Sequence, residues 1–340
     1  MGTTSQPQPS LSPERIFSSL NAYQLTSGLI GAIDLDLFTA IDEGKQTAPA
    51  IAERCHASER GCRILCDFLT VHGFLTKNGG QWELTPDSAA FLSRKSPMYM
   101  GTSAKFLNSP ESMSNFADMA GLVRKGGTLW GDEGSVSANN PIWVEFARSM
   151  PPIIGGAAQE IAEIADGDGQ PWRVLDMAAG HGLFGVAIAS RNPQASITAL
   201  DWAAVLEVAK ENAARAGVQD RVHMVAGSAF ETDLGSGYDI VLLTNFLHHF
   251  DRSTNVGLLK KVHAALKPGG RAMTLEFVPN PDRISPPVHA TFSMMMLGHT
   301  RAGDAYTLAE HESMFAEAGF ASTTMQELQQ SPERLLISRR

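Results

Sequence analysis

At 340 residues with 43% apolar side chains the chain is long enough to bury two cores, and its net charge of -9 removes the basic face that a phosphate backbone requires. No run reaches the roughly 18 to 20 apolar residues of a membrane-spanning helix, and the first dozen residues, rich in Ser, Pro and Gln, lack the basic start and apolar centre of a signal peptide. Nucleic acid and membrane are therefore not expected as partners, and a cytoplasmic protein is.

Residues 1–12 read as a disordered tail, followed by a compact unit over 13–97. From 16 to 40 the apolar residues recur at helical spacing, with Gly28 and Gly31 among them as small residues that let helices approach closely. Segments 47–55 and 58–72 read as two further helices, and 74–84 (FLTKNGGQWEL) as a hairpin turned at Asn78-Gly79. Helix, helix and hairpin make a winged helix. In a repressor the second helix, 58–72, would enter the major groove; its Arg60 and Arg63 are a minimal basic footprint, offset by Glu59 and Asp67. Cys55, Cys62 and Cys66 have neither an even count nor zinc-ligand spacing, so they read as reduced core thiols and no metal site is expected.

Residues 98–165 read as connecting helices that carry Phe106, Met113, Phe116, Met119, Trp130, Trp143, Phe146 and Met150; a second such cluster, FSMMML, spans 292–297. Residue by residue, ordinary core is the commoner fate of such side chains. Adaptable methionines beside aromatics also suit a pocket for a flat organic molecule.

Residues 166–340 alternate strands and helices, which predicts a doubly wound, mostly parallel sheet with its ligand outside the carboxyl edge. The first strand runs into a glycine turn at 174–182 (VLDMAAGHG), and the second, 196–201 (SITALD), ends in an acid. The turn lets backbone approach a ligand, and an acid about 20 residues on accepts from ribose hydroxyls; Asp176 and Asp201 fit that spacing. Ala178 and Ala179 stand where a dinucleotide fold prefers glycine, so an adenosine cofactor without phosphates is favoured, namely S-adenosylmethionine (SAM). Trp202, next to the acid, offers an aromatic face for the adenine, or equally packs under the following helix. The segment 222–230 reads as a short third strand ending in a polar loop, 238–245 as a fourth, almost wholly apolar one, and a fifth runs from 271 to 277 after LKPGG.

The ordered motifs LDMAAGHG, GSAF (227–230), NFLHHFD (245–251) and LKPGG (266–270) resemble those of class I methyltransferases, and more narrowly the cation-independent O-methyltransferases of the caffeate, acetylserotonin and polyketide-tailoring type. The resemblance implies a SAM-binding sheet with one antiparallel edge strand, and makes the winged unit a dimerisation domain of a homodimer rather than a DNA reader. It places a histidine general base at His248, flanked by Glu276, with a small, aromatic hydroxyl compound as the acceptor. A phenol with a pKa of about 10 is a poor nucleophile near neutrality, whereas an imidazole of pKa about 6.5 can take its proton. By the same resemblance Asp176, Ala178, Gly180, Gly182, Asp201, Trp202, Ser228, Ala229, Phe230 and Asn245 surround the cofactor, and Phe146, Met150, His249, Phe292, Met295 and Met296 line the acceptor pocket.

Three positions depart from the family pattern. Ser228 replaces an aspartate that meets the adenine amino group. Ala305 stands where plant members carry a second flanking acid, with Asp304 beside it. Thr244 replaces their lysine, which points to bacterial relatives. Two other readings stay open on the residues alone: the same fold methylating carbon or nitrogen or assisting a cyclisation, and a winged-helix regulator that senses a nucleoside.

Overall fold

The computed structural model describes residues 11–165 and 169–340. The tail read over 1–12 therefore lies outside the described residues, Leu11 and Ser12 excepted. The chain divides into two compact units, Met1–Lys105 and Phe106–Arg340.

The first unit opens with α1 (Glu14–Leu20), α2 (Ala22–Asp34) and α3 (Leu37–Asp42). The helical pattern read as continuous from 16 to 40 is thus broken twice, the second time where Asp36 takes a left-handed φ of 56° and anchors Arg54 and Arg94 at 3.2 and 3.0 Å. Then come α4 (Ala48–Arg54) and α5 (Glu59–Val71), the latter capped by the Ser58 hydroxyl, which accepts from the Gly61 N–H. The wing, β1 (Leu75–Asn78) and β2 (Gln81–Leu84), pairs Asn78 with Gln81. Its two loop residues are therefore Gly79 and Gly80, one place later than expected; both have positive φ, as a tight hairpin turn of this hand demands. Helix α6 (Pro86–Phe91) closes the unit.

Phe38, Ile51, Leu69, Trp82 and all three cysteines are buried in its core. Of the two helix glycines, only Gly28 matters for close approach: a Cβ there would stand 3.0 Å from the Phe68 ring, whereas Gly31 faces open space. On α5, Arg63 is held by Asp67, which also binds Lys77, so part of the small basic footprint is neutralised within the unit. Helix α1 buries no residue, and Ile16, Phe17, Leu20 and Tyr23 are between 60% and 66% exposed.

In the second unit five helices come first: α7 (Gly101–Leu107), which straddles the division, α8 (Pro110–Asn115), α9 (Met119–Lys125), α10 (Ile142–Ser149) and α11 (Pro151–Ile164). The sheet then alternates with helices: β3 (Arg173–Met177), α12 (Leu183–Arg191), β4 (Ser196–Asp201), α13 (Ala203–Arg215), β5 (Val222–Ala226), β6 (Tyr238–Thr244), α14 (Arg252–Ala265) and β7 (Leu266–Glu276). After these come α15 (Pro287–His299), α16 (Leu308–Glu317), β8 (Ser322–Glu327) and β9 (Arg334–Arg339).

The strand order is β5-β4-β3-β6-β7-β9-β8. All pairings from β5 to β7 are parallel, and β9 runs antiparallel to both neighbours. The antiparallel strand is thus one place in from the edge, which β8 forms. Every residue of β6 is buried, as a central parallel strand covered on both faces requires. One face packs on α11, α12 and α13, the other on α14 and α16. The order reverses between β3 and β6, so the loops leaving their carboxyl ends flank the crevice where such sheets bind ligands. Among the described residues no helix is long and apolar enough to cross a membrane.

Candidate active site

The turn after β3 is shaped by two carboxylates. Asp176, fully buried, accepts the Gly185 N–H at 3.0 Å and so ties the start of α12 back to the strand. Asp201, at the end of β4, accepts the Gly180 N–H at 2.8 Å and the Trp202 N–H at 2.6 Å on different oxygens. Gly180 and Gly182 have φ of 58° and 70°, and Ala178 takes 53° without being glycine. That conformation costs an alanine about 1 kcal/mol. Gly180 has nothing closer than 3.9 Å where a side chain would stand, whereas a Cβ on Gly182 would meet Ala209 at 2.8 Å. The turn therefore presents bare backbone at Gly180, beside a partly exposed acid whose two oxygens each keep a lone pair for ribose hydroxyls. These residues fit a nucleoside.

Burial pushes the Asp176 carboxyl up to about 7, against the opposing pull of the Gly185 N–H. His181, inside the turn, is buried and pushed down to about 4, hence neutral. Its Nδ1 accepts the Leu183 N–H at 3.1 Å, which leaves the hydrogen on Nε2.

Trp202 caps α13 and packs, partly buried, beside Ala147, Val205 and Val208. The Ser228 hydroxyl accepts the Phe230 N–H at 3.2 Å; Ala229 is buried, and Phe230 is partly open to solvent with its ring edge-on to Phe250 at 4.9 Å.

The loop after β6 begins with Asn245 at φ 55° and makes a tight turn over Leu247–His249 before Asp251 caps α14. Glu276, at the end of the neighbouring β7, organises it. Its Oε1 accepts the backbone N–H groups of Phe246, Leu247 and His248 at 3.1, 2.8 and 3.4 Å, and its Oε2 lies 2.5 Å from Nδ1 of His248. Both side chains are almost fully buried. Burial drives the Glu276 carboxyl up to about 7, opposed by the three N–H donors, and holds His248 neutral at physiological pH. Three donors on one oxygen favour the carboxylate, which then accepts a hydrogen bond from Nδ1–H of the neutral imidazole and leaves a lone pair on Nε2. Nε2 has no hydrogen-bond partner among the described residues.

Around the dyad the rings form a chain. Phe292 meets His248 edge-on at 4.9 Å and stacks on Phe277 at 4.1 Å. His249 lies 5.1 Å from Trp143, which touches Phe146, which in turn stacks 6.3 Å from His181. The Nδ1 of His249 is buried without a hydrogen-bond partner among the described residues. Of the other expected pocket residues, Met150 packs on the core between sheet and α11, Met296 is buried, and Met295 gives its carbonyl to His299. His289 is spent elsewhere: its Nδ1 accepts from the Val278 N–H and its ring bonds the Pro332 backbone.

Asp304 does not reach the histidine. It is half-exposed and paired with Arg283 at 3.2 Å, while Ala305 is fully buried. A carboxyl the motifs do not indicate, Glu333, lies just before β9; it is buried, interacts with Glu276, is pushed up to about 7 by that burial, and takes hydrogen bonds from Ser331 and the Asn245 side chain. Trp143, His181 and Phe277 likewise join the site without any motif marking them for it, although His181 sits inside the glycine turn.

Comparison with known proteins identifies the family. An O-methyltransferase domain model matches residues 163–321, and an O-methyltransferase dimerisation domain model matches 17–94. A crystal structure of a protein from Nostoc punctiforme is 45% identical, covers 98% of this chain and 100% of its own, and superimposes with a TM-score of 0.94. The 3-hydroxy-5-methyl-1-naphthoate 3-O-methyltransferase of Streptomyces sahachiroi is 29% identical over 86% of this chain and 85% of its own. Human N-acetylserotonin methyltransferase, solved in complex with SAM, shares the fold at 20% identity and a TM-score of 0.84, over 100% of this chain and 99% of its own. The chain belongs to the S-adenosylmethionine-dependent O-methyltransferases that carry an N-terminal dimerisation domain.

Proposed function

We propose that this enzyme methylates a hydroxyl of a small aromatic metabolite, with His248 as general base. The observation that carries the reading is the 2.5 Å contact between Nδ1 of His248 and Glu276, which directs the free lone pair of Nε2 away from the carboxylate. Bound SAM supplies an electrophilic methyl on a sulfonium; Gly180 and Asp201 are the groups that would hold its nucleoside. His248 takes the proton as the acceptor oxygen attacks, and Glu276 stabilises the imidazolium that forms. Phe146 and Phe292 offer faces for a flat acceptor, and the unpartnered Nδ1 of His249 a polar contact for one of its substituents. The naphthoate substrate named for the Streptomyces relative is of this flat, hydroxylated kind.

We further propose a homodimer through the first unit, since a helix that buries none of its apolar residues within its own chain, α1, is suited to a partner. Incubation with methyl-labelled SAM and a panel of phenols tests the chemistry. Wild type is expected to label at least one phenol and His248→Ala to lose about 10²- to 10⁴-fold in kcat; transfer that survives undiminished in the variant overturns the base assignment.

A further inference from the structure

The loop from Gly227 to Leu234, between β5 and β6, contains Ser228, Ala229 and Phe230, three of the residues read as facing the cofactor. It departs from the family pattern at Ser228, whose hydroxyl stands where a carboxylate would meet the adenine. Underneath it, between Leu175, Leu200, Val225, Thr232, Leu234 and Tyr238, lies a small cavity of about 50 Å³, beside which Ala229 and Leu234 are buried in the core. A Cβ on Gly227 would collide with the Thr232 hydroxyl, so the loop folds tightly on itself at its start.

Besides this burial, one ammonium group ties three of the loop's carbonyls to a neighbouring helix. Lys261, on α14, donates to the carbonyl oxygens of Ala229 at 3.2 Å, Phe230 at 2.6 Å and Thr232 at 3.2 Å. An ammonium has three hydrogens, and all three have an acceptor here. Hydrogen bonds from a charged donor are stronger than neutral ones, and three on one loop of this length leave its backbone little freedom.

We infer that Lys261 is a positioning residue for cofactor binding: reaching across from α14, it fixes the 227–234 loop in the shape that encloses the adenine and so offsets the weaker polar group at Ser228. The inference rests on the reading that this loop lines the cofactor site. In the apo enzyme the clamp already sets the loop, so cofactor binding does not have to order it.

The test is calorimetric titration of the full-length enzyme with SAM and with its demethylated product, S-adenosylhomocysteine. Lys261→Met, which keeps the stem and removes the donors, is expected to raise both dissociation constants and the KM for SAM about tenfold, while kcat at saturating SAM stays within twofold. Lys261→Gln, which keeps two hydrogens, is expected to fall between. An unchanged dissociation constant in either folded variant overturns the inference, as does a loss in kcat with no change in KM. Hydrogen exchange separates this failure from that of the underlying reading: in wild type, cofactor must protect the amides of 227–234. If it protects them and Lys261→Met still binds like wild type, Lys261 has no positioning role; if it does not protect them, the loop does not line the site and the inference falls with that reading.

Discussion

Two strand-end loops flank the crevice where the order of the sheet reverses, and each is organised by a carboxylate from the next strand. After β3, Asp201 accepts from Gly180 and from its own neighbour Trp202, so both of its oxygens hold backbone. After β6, Glu276 gathers three backbone N–H groups on one oxygen and keeps the other for an imidazole. The same device therefore shapes a cofactor-binding turn in one loop and, on the proposed mechanism, serves shape plus chemistry in the other. The loop built for shape needs glycines at left-handed positions, whereas the loop built for chemistry needs one buried side chain whose tautomer is fixed.

The largest effect should come from separating the two jobs of Glu276. Glu276→Gln keeps an oxygen to accept the backbone donors but turns an amide N–H toward Nδ1 of His248. The imidazole then carries its hydrogen on Nε2, where it can no longer take a proton from an acceptor. A loss of about 10³-fold or more in kcat is expected, with little change in SAM affinity. On the proposed mechanism the active form is the carboxylate with a neutral imidazole, so a proton added to the pair removes the base. Burial places the Glu276 carboxyl near 7, and kcat should accordingly fall as pH drops through about 7 and level off above it. His311, His248, Glu333 and Tyr306 all interact with Glu276, so the midpoint belongs to the cluster and not to one group. A variant with wild-type kcat, or a flat wild-type profile between pH 6 and 8, would show that the carboxylate only holds the loop.

The two loops also differ in how much of them can be read from the residues. The first announces itself, because a left-handed turn needs glycine and ribose needs an acid, and both leave fixed spacings in one stretch of chain. Even there Ala178 takes a left-handed φ that its identity does not advertise. In the second loop His248 and Glu276 are visible through motif order, but the rest of the cluster is not. Glu333 lies near Glu276 only because β9 folds back antiparallel and pairs Arg334 with Glu276, a long-range register that no local pattern carries. Asp304, the nearer acid in sequence, is drawn off by Arg283, whose position depends on the 280–286 loop. The ring chain from His181 through Phe146 and Trp143 to His249 joins three separate segments; Phe146 and His249 are legible through the family resemblance, but nothing local shows that His181 and Trp143 join them.

A smaller effect should follow from disturbing the chemical loop from behind. Gly303 has no special φ, yet a Cβ there would collide with the carbonyl of His248 and press on the backbone of His249. Gly303→Ala should therefore displace the imidazole rather than unfold the sheet, and misplacement by a fraction of an ångström to one ångström costs up to about 10² in rate. We expect kcat lowered about 10- to 100-fold with SAM affinity within threefold of wild type. Wild-type kcat together with an unaltered melting temperature would mean that the loop yields without moving His248.

The smallest effect belongs to the loop built for shape. In Asp201→Asn, one oxygen still accepts a backbone N–H, but the amide NH₂ now faces the other N–H instead of bonding it. The turn loses one of its two ties, and the ribose loses a charged acceptor. Each change is worth about 0.5 to 1 kcal/mol, together about 1 to 2 kcal/mol, so the dissociation constant for SAM should rise roughly 5- to 30-fold. The step of methyl transfer itself should be within a few-fold of wild type at saturating SAM, because the His248–Glu276 pair lies on the other side of the β3–β6 boundary and keeps its geometry. Calorimetry with single-turnover kinetics on the same preparation reads both quantities. A fall in the single-turnover rate as large as that in Glu276→Gln would erase the contrast between the loops, since shape and chemistry would then depend on one another across the crevice.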